Sequence, residues 1–189
     1  MITIDVESSI VDEYKRRSQK EPASPMTPGI PTQNQSKPKI TLSDCLKCFT
    51  KTEVLSDDDL WRCPKCKDFK KASKKIDLWL LPKVLIIQLK RFSYTRYFRD
   101  KIDLLVDCPI RDLDLSPFVL NSAEKSNAKY DLIAVSNHSG YLGGGHYTAY
   151  AKNSTDRKWH SFNDSSVSDA SESSIMGEEA YVLIYQKQE

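Results

Sequence analysis

The sequence predicts an α+β fold built around a largely antiparallel sheet, and three observations lead there. A single stretch after residue 40 spaces its apolar residues as a helix does. Five later stretches have strand composition: Val84 to Phe92, Tyr130 to Val135, His146 to Ala151, Lys158 to Phe162 and Tyr181 to Gln186. Gly, Asn, Asp and Ser fall between them, as turn residues between strands do.

In order along the chain, Met1 to Val6 alternates apolar and polar residues and reads as a short strand. Glu7 to Lys20 is charged and reads as a helix, so residues 1–20 form an N-terminal strand and helix. Glu21 to Lys39 carries Pro22, Pro25, Pro28, Pro31 and Pro38 among Ser, Thr, Gln and Asn. It buries too little apolar surface to offset its ordering entropy, so 21–39 is expected to be a flexible insert. Order resumes at a helix running to about Lys51, with Thr41, Ser43 or Asp44 as N-cap and Leu42, Cys45, Leu46 and Phe49 on one face. After a turn at Ser56 to Asp59 the pattern becomes β. The run from Val84 starts fully apolar and ends in alternation, the mark of a strand that leaves the core.

At 189 residues the chain is long enough for one domain with a real core. Its 39% hydrophobic and 29% charged residues are ordinary for a globular protein, and a net charge of +2 makes no case for nucleic acid or a membrane surface as partner. No apolar run approaches the roughly 18 residues of a membrane span. The first 20 residues lack the apolar stretch of a secretory signal, so the expected compartment is reducing: the cytoplasm, or the nucleus. Five cysteines in such a compartment read as metal ligands, catalytic thiols or core residues rather than disulfides.

Cys63-Pro64-Lys65-Cys66 has the form of half a zinc site, two thiolates able to clasp one tetrahedral metal from a tight turn. Cys45 and Cys48 form a second CxxC with 14 residues between Cys48 and Cys63, which suits a four-cysteine ribbon. Against that, Cys45 lies on the apolar face of the expected helix, where a thiol packs as a small hydrophobe. Cys108 reads as a strand residue. Six lysines between Lys65 and Lys75 would suit phosphate contacts, but Phe69 is the only aromatic among them, so a solvated face is the simpler reading.

Gly143-Gly144-Gly145-His146-Tyr147-Thr148-Ala149-Tyr150 places a histidine at the mouth of a strand, directly after a glycine run that permits a bend and a close approach. An imidazole held there suits the general base of a thiol nucleophile. Further on, Asn163 and Asp164 end another strand and offer oxygens that would fix the histidine's tautomer, as the third member of a Cys-His-Asn/Asp site does. His138 and His160 read as surface or structural.

Taken together, Trp61-Arg62-Cys63-Pro64-Lys65-Cys66, then Leu89-Lys90-Arg91-Phe92, then the Gly-Gly-His-Tyr-Thr-Ala-Tyr box with Phe162-Asn163-Asp164-Ser165 resemble the ubiquitin-specific protease family, in family order, over about Thr41 to Gln186. The resemblance implies a papain-like cysteine protease fold, with residues 40–189 as its fingers and palm and the thumb mostly missing. It implies that His146 is the catalytic histidine, oriented by Asn163, with Asp164 sharing that task. Arg91, Phe92, Gly143, Gly144, Gly145 and Tyr147 would bind the Gly-Gly tail of ubiquitin, whose narrow channel gives the glycines a reason. Cys63 and Cys66 would hold structural zinc. Many members have Asp where this chain has Asn163, which still accepts a hydrogen bond but lacks the charge. The family's nucleophilic cysteine box and first CxxC have no counterpart here, so the isolated chain is expected to be inactive. The implied reaction is hydrolysis after the C-terminal glycine of ubiquitin, with ubiquitin and ubiquitinated proteins as partners. A ubiquitin-binding module without chemistry, and a zinc-ribbon interaction domain, stay open as alternatives.

Overall fold

The structure, a computed structural model, describes residues 1–5, 40–94, 99–141 and 143–189. The helix expected at Glu7 to Lys20 and the insert at Glu21 to Lys39 lie outside the described residues.

Strand β1 (Ile2–Asp5) opens the chain and β2 (Ile40–Thr41) leads into helix α1 (Leu42–Phe49). Of the three candidate N-caps, Thr41 is the one used. Its hydroxyl accepts the Asp44 N–H at 3.2 Å, and the Asp44 carboxylate accepts the Thr41 N–H at 3.3 Å, a reciprocal cap. The helix ends at Phe49, two residues short of expectation, and the Thr50 hydroxyl donates back to the Leu46 carbonyl at 2.9 Å. Leu42, Cys45 and Leu46 are fully buried on its inner face.

Short strands follow: β3 (Glu53–Val54), β4 (Trp61–Arg62), β5 (Phe69–Lys70) and β6 (Ser73–Lys74), pairing as β3 with β6 and β4 with β5. Then come β7 (Val84–Lys90), β8 (Phe92–Tyr94), β9 (Arg99–Lys101), β10 (Val106–Asp107) and β11 (Leu113–Asp114). A single-turn α2 (Ser122–Lys125) precedes β12 (Lys129–Tyr141), β13 (Gly144–Lys152), β14 (Trp159–Asn163), β15 (Ser166–Ala170) and β16 (Ala180–Lys187).

The central sheet has eight strands in the order β1-β7-β16-β12-β13-β14-β15, with β11 against β12. Every pairing in it is antiparallel except β1 with β7. This is the largely antiparallel α+β architecture that the strand-and-turn pattern predicts. Alternation along β7 buries Leu85, Ile87 and Leu89, which meet Ile4, Leu132, Val135, Leu183 and Tyr185 in one core. Each such side chain contributes on the order of 1.5–3 kcal/mol by leaving water. Strand β12 runs on to Tyr141, six residues past the expected Val135, because Ser136 to Tyr141 stays paired with β13 and carries the sheet to the candidate site.

Candidate active site

β12 and β13 form a hairpin in which His138 faces Tyr147, Ser139 faces His146 and Gly140 faces Gly145. On its other side β13 pairs with β14 from Lys152↔Trp159 to Ala149↔Phe162. His146 and Asn163 therefore stand just beyond the last of these pairs, at the mouth of the sheet. Their side chains meet across it, with His146 Nε2 at 2.6 Å from Asn163 Oδ1. An amide oxygen only accepts, so Nε2 carries the hydrogen and the neutral ring keeps its Nδ1 lone pair free. Both residues are exposed. The arrangement is an oriented imidazole with an open basic nitrogen.

Asp164 has another occupation. It sits in the tight turn between β14 and β15, with Asn163 facing Ser166 and its own φ at 50°, a left-handed conformation that Asp tolerates. The oxygen that accepts the imidazole's hydrogen bond is Asn163 Oδ1.

Tyr147 is 58% exposed and Phe92 half-buried; both rings border His138. Arg91 departs from the expectation of a residue lining a peptide channel. Its side chain is 1% exposed and turns inward, where Nε donates to the Ala180 carbonyl at 2.6 Å and Nη1 to those of Ile102 (3.0 Å) and Leu104 (2.7 Å). Burial pulls its pKa down. A buried cation must be solvated by something, and backbone carbonyls do it here. Arg91 thus ties the end of β7 to the start of β16 and to the segment after β9.

The glycines also divide. A methyl on Gly145 would lie 2.3 Å from His138 Nε2 and 2.4 Å from the Ser139 carbonyl oxygen, and Gly140 opposite it has φ 114°. Those two lack side chains so that the hairpin can close on itself. Methyls on Gly143 or Gly144 would meet only the Tyr141 ring, at 3.3 Å and 3.6 Å.

The cysteines separate in the same way. Cys45 and Cys108 are sealed in the core; burial drives the Cys45 thiol up to about 12 and the Cys108 thiol higher still. Cys108 follows β10 rather than lying within a strand, its Sγ donating to the Val106 carbonyl. Cys48 packs beside the core on α1. Cys63 and Cys66 occupy the β4–β5 turn, closed by Cys63 N–H to Asp68 O (3.0 Å) and Lys67 N–H to Cys63 O (2.8 Å). Hydrogen bonds from the backbone N–H groups of Cys66 and Lys65, and from the Cys66 thiol, hold the Cys63 pKa below the ordinary thiol value. That donor set suits two thiolates on one metal. Among the described residues no three His, Cys, Asp or Glu side chains converge on such a point, so the four-cysteine ribbon with Cys45 and Cys48 is not formed. Four of the six nearby lysines, Lys70, Lys71, Lys74 and Lys75, face carboxylates within 3.0 Å.

His138 is the residue that sequence reasoning underrated. It is 5% exposed, within an aromatic group of Phe92, Tyr147 and Tyr181. Its position opposite Tyr147 follows from the length of β12, which its Ser, Asn and Gly residues conceal. Among the described residues no helix is long and apolar enough to cross a membrane.

Residues 10–185 match the family profile of ubiquitin carboxyl-terminal hydrolase. The chain belongs to that family. Ubiquitin carboxyl-terminal hydrolase 15 of Homo sapiens is 57% identical over 153 residues, covering 81% of this chain and 16% of the relative. Ubiquitin carboxyl-terminal hydrolase 4 of Rattus norvegicus is 47% identical over 188 residues, covering 100% of this chain and 20% of the relative. The chain thus spans a fifth or less of these relatives' length. Among solved structures, the SAGA Ubp8/Sgf11/Sus1/Sgf73 DUB module bound to ubiquitin aldehyde superposes with TM-score 0.68 at 26% identity, over 100% of this chain and 36% of that one. The Ubp8-Sgf11-Sgf73-Sus1 SAGA DUB module gives TM-score 0.65 at 26% identity, over 100% of this chain and 33% of that one. The fold is that of the papain-like catalytic domain of ubiquitin-specific proteases, a family of deubiquitinating hydrolases.

Proposed function

We propose that this chain supplies the general-base side of a deubiquitinating cysteine protease that cleaves the peptide or isopeptide bond after the C-terminal glycine of ubiquitin. The observation that carries the reading is the 2.6 Å contact between His146 Nε2 and Asn163 Oδ1, which favours the tautomer that keeps Nδ1 available as base. A relative in the solved structures is bound to ubiquitin aldehyde, which supports ubiquitin as the partner. In the proposed reaction a thiol gives its proton to His146 Nδ1 and its sulfur attacks the carbonyl carbon. His146 returns that proton to the leaving amine as the C–N bond breaks, forming a thioester. Water, deprotonated by His146, then hydrolyses the thioester and the thiol is restored. Asn163 holds the ring throughout, Phe92, Tyr147 and the exposed Gly143 and Gly144 border the peptide's path, and the buried Arg91 contributes only by anchoring the Phe92 segment.

None of the five cysteines is proposed as the nucleophile, a reading supported by the burial and raised pKa of Cys45 and Cys108, the packing of Cys48 against the core, and the place of Cys63 and Cys66 in a hairpin turn. The isolated chain is therefore proposed to be inert. Cys63 and Cys66 fit two of the four ligands of a structural zinc, which would clamp the β4–β5 turn. Its thiols suit a reducing compartment, cytoplasmic or nuclear. The test is a ubiquitin C-terminal amide assay on a full catalytic domain containing this region. His146→Ala should lower turnover about 10² to 10⁴-fold, roughly 3–5 kcal/mol. Undiminished turnover would overturn the proposal.

A further inference from the structure

His138 stands on β12 with its imidazole 5% exposed and its Nδ1 sealed, without a hydrogen-bond partner. What this buried ring touches is informative. We propose that His138 is a positioning residue for His146, acting through the backbone on both sides of it; this rests on the reading of His146 as the general base.

Side chains alternate along a strand, so Gly145 and Tyr147 present one face of β13 while His146 presents the other. His138 covers that first face at both positions. Its ring centroid lies 4.7 Å from that of Tyr147, directly opposite it in register. Its Nε2 occupies the space that a Cβ on Gly145 would need, 2.3 Å from where that atom would lie. The residues before and after His146 are thus pressed by one ring, and His146 projects away from it toward Asn163.

The ring is itself held. Phe92 approaches edge-on at 5.6 Å and Tyr181 lies at 5.9 Å between centroids. The His138 N–H donates to the Glu179 carbonyl at 2.9 Å, and its carbonyl accepts from Lys101 Nζ at 3.1 Å. Lys101 is in turn paired with Asp103 at 3.1 Å. Contacts from β8, β9 and the approach to β16 therefore converge on His138, which passes that rigidity to the His146 backbone. A displacement of about 1 Å at a catalytic group can cost on the order of 10²-fold in rate, so a buttress at this place sets the geometry of the base.

In the 189-residue chain, labelled with ¹⁵N in its histidine rings, the His146 signals report whether Nε2–H is bonded to Asn163, and Asn163→Ala gives the unbonded reference. His138→Ala is expected to move those signals toward the reference. His138→Phe, which keeps a ring against Tyr147, is expected to leave them at the parent positions. In a full catalytic domain containing this region, His138→Ala should lower kcat about 10- to 100-fold while KM stays within about twofold. His146 signals unmoved by His138→Ala would overturn the proposal. So would a raised KM at unchanged kcat, which would make His138 part of the peptide-binding wall. Should His138→Ala fail to fold, His138→Phe decides: parent-like His146 signals uphold the buttress, and signals at the Asn163→Ala reference reject it. Turnover surviving His146→Ala would sink the protease reading alone, and the ring signals would still show whether His138 holds His146.

Discussion

His146 and Asn163 approach to 2.6 Å from strands that have just stopped pairing, so the contact is made by side chains where the sheet opens. Asp164 next door is bent into the β14–β15 turn. The two neighbours should therefore respond differently to truncation. In a full catalytic domain, Asn163→Ala frees the imidazole to rotate and should cost roughly 10- to 100-fold in kcat, part of the 10² to 10⁴ that the base itself supplies. Asp164→Ala should mainly loosen the turn, because Ala tolerates a left-handed φ less well than Asp, and should leave most of kcat intact. A larger kcat loss at Asp164 than at Asn163 would reverse this assignment.

Gly145 and Gly143 offer a comparison within a single glycine run. A methyl at Gly145 strikes both a ring and a backbone carbonyl at under 2.5 Å, whereas one at Gly143 touches only an exposed tyrosine ring. Gly145→Ala should force the hairpin apart, at a cost of about 1–3 kcal/mol typical of overpacking. Gly143→Ala should change stability by less than about 0.5 kcal/mol. Chemical denaturation of the two variants side by side measures the difference, and equal midpoints would mean that the hairpin yields more easily than its contacts imply.

The residues explain how much of this was readable beforehand. Alternation in Val84 to Phe92 and the strand composition of Tyr181 to Gln186 declared a sheet because apolar side chains at period two need a common core. The His146 and Asn163 boxes declared a site because a base and its orienting oxygen are short-range chemistry. Arg91 could not be placed that way. Whether an arginine faces solvent or three carbonyls depends on partners 11 to 89 residues away, which no local pattern encodes. His138 reads as surface or structural and is structural, but its place over Tyr147 escapes local pattern for a related reason: Ser136 to Gly140 lie past the strand expected to end at Val135, and pairing with β13 holds them extended.

The cap of α1 gives a pH-dependent prediction. The Thr41 hydroxyl, hydrogen-bonded to the Asp44 carboxylate at 2.7 Å, is the largest influence holding that carboxyl below its ordinary value. A depressed acid stabilises the fold while it is ionised in both states. The contribution is complete above the unfolded value of about 3.9 and is lost as pH falls through the lower folded value. Thr41→Ala should cost about 0.5–2 kcal/mol near neutral pH, and the gap to the parent should narrow below pH ~4 as the parent loses its own share. Thermal melts at neutral and acid pH would show it; a gap that widens on acidification contradicts this account.

Thiol chemistry should follow burial. Cys63 is held low by backbone N–H groups at an open turn, while Cys45 and Cys108 are raised inside the core. The thiolate is the reactive form, so near neutral pH Cys63 should alkylate fastest and Cys45 and Cys108 only on unfolding. Peptide mass spectrometry after brief iodoacetamide treatment reads the order. Added zinc should slow the reaction at Cys63 and Cys66 if they serve as ligands, and alkylation of Cys45 ahead of Cys63 in the native chain would contradict the burial pattern.

Arg91 tests whether a side chain beside the candidate site acts on substrate or on the fold. Its three carbonyl partners, Ala180, Ile102 and Leu104, lie on two separate segments, which the guanidinium joins. Arg91→Ala would leave buried acceptors unbonded and a void behind, a loss of about 2–4 kcal/mol. Arg91→Lys cannot serve all three carbonyls from one nitrogen on a flexible stem, and should recover only part of that loss. In a full catalytic domain, both variants should show a lowered unfolding midpoint. At temperatures where the fold is intact, KM for a ubiquitin C-terminal amide should stay near the parent's, because the cation is sealed away from any peptide. A KM raised tenfold in Arg91→Lys without loss of stability would put the guanidinium back on the substrate's path.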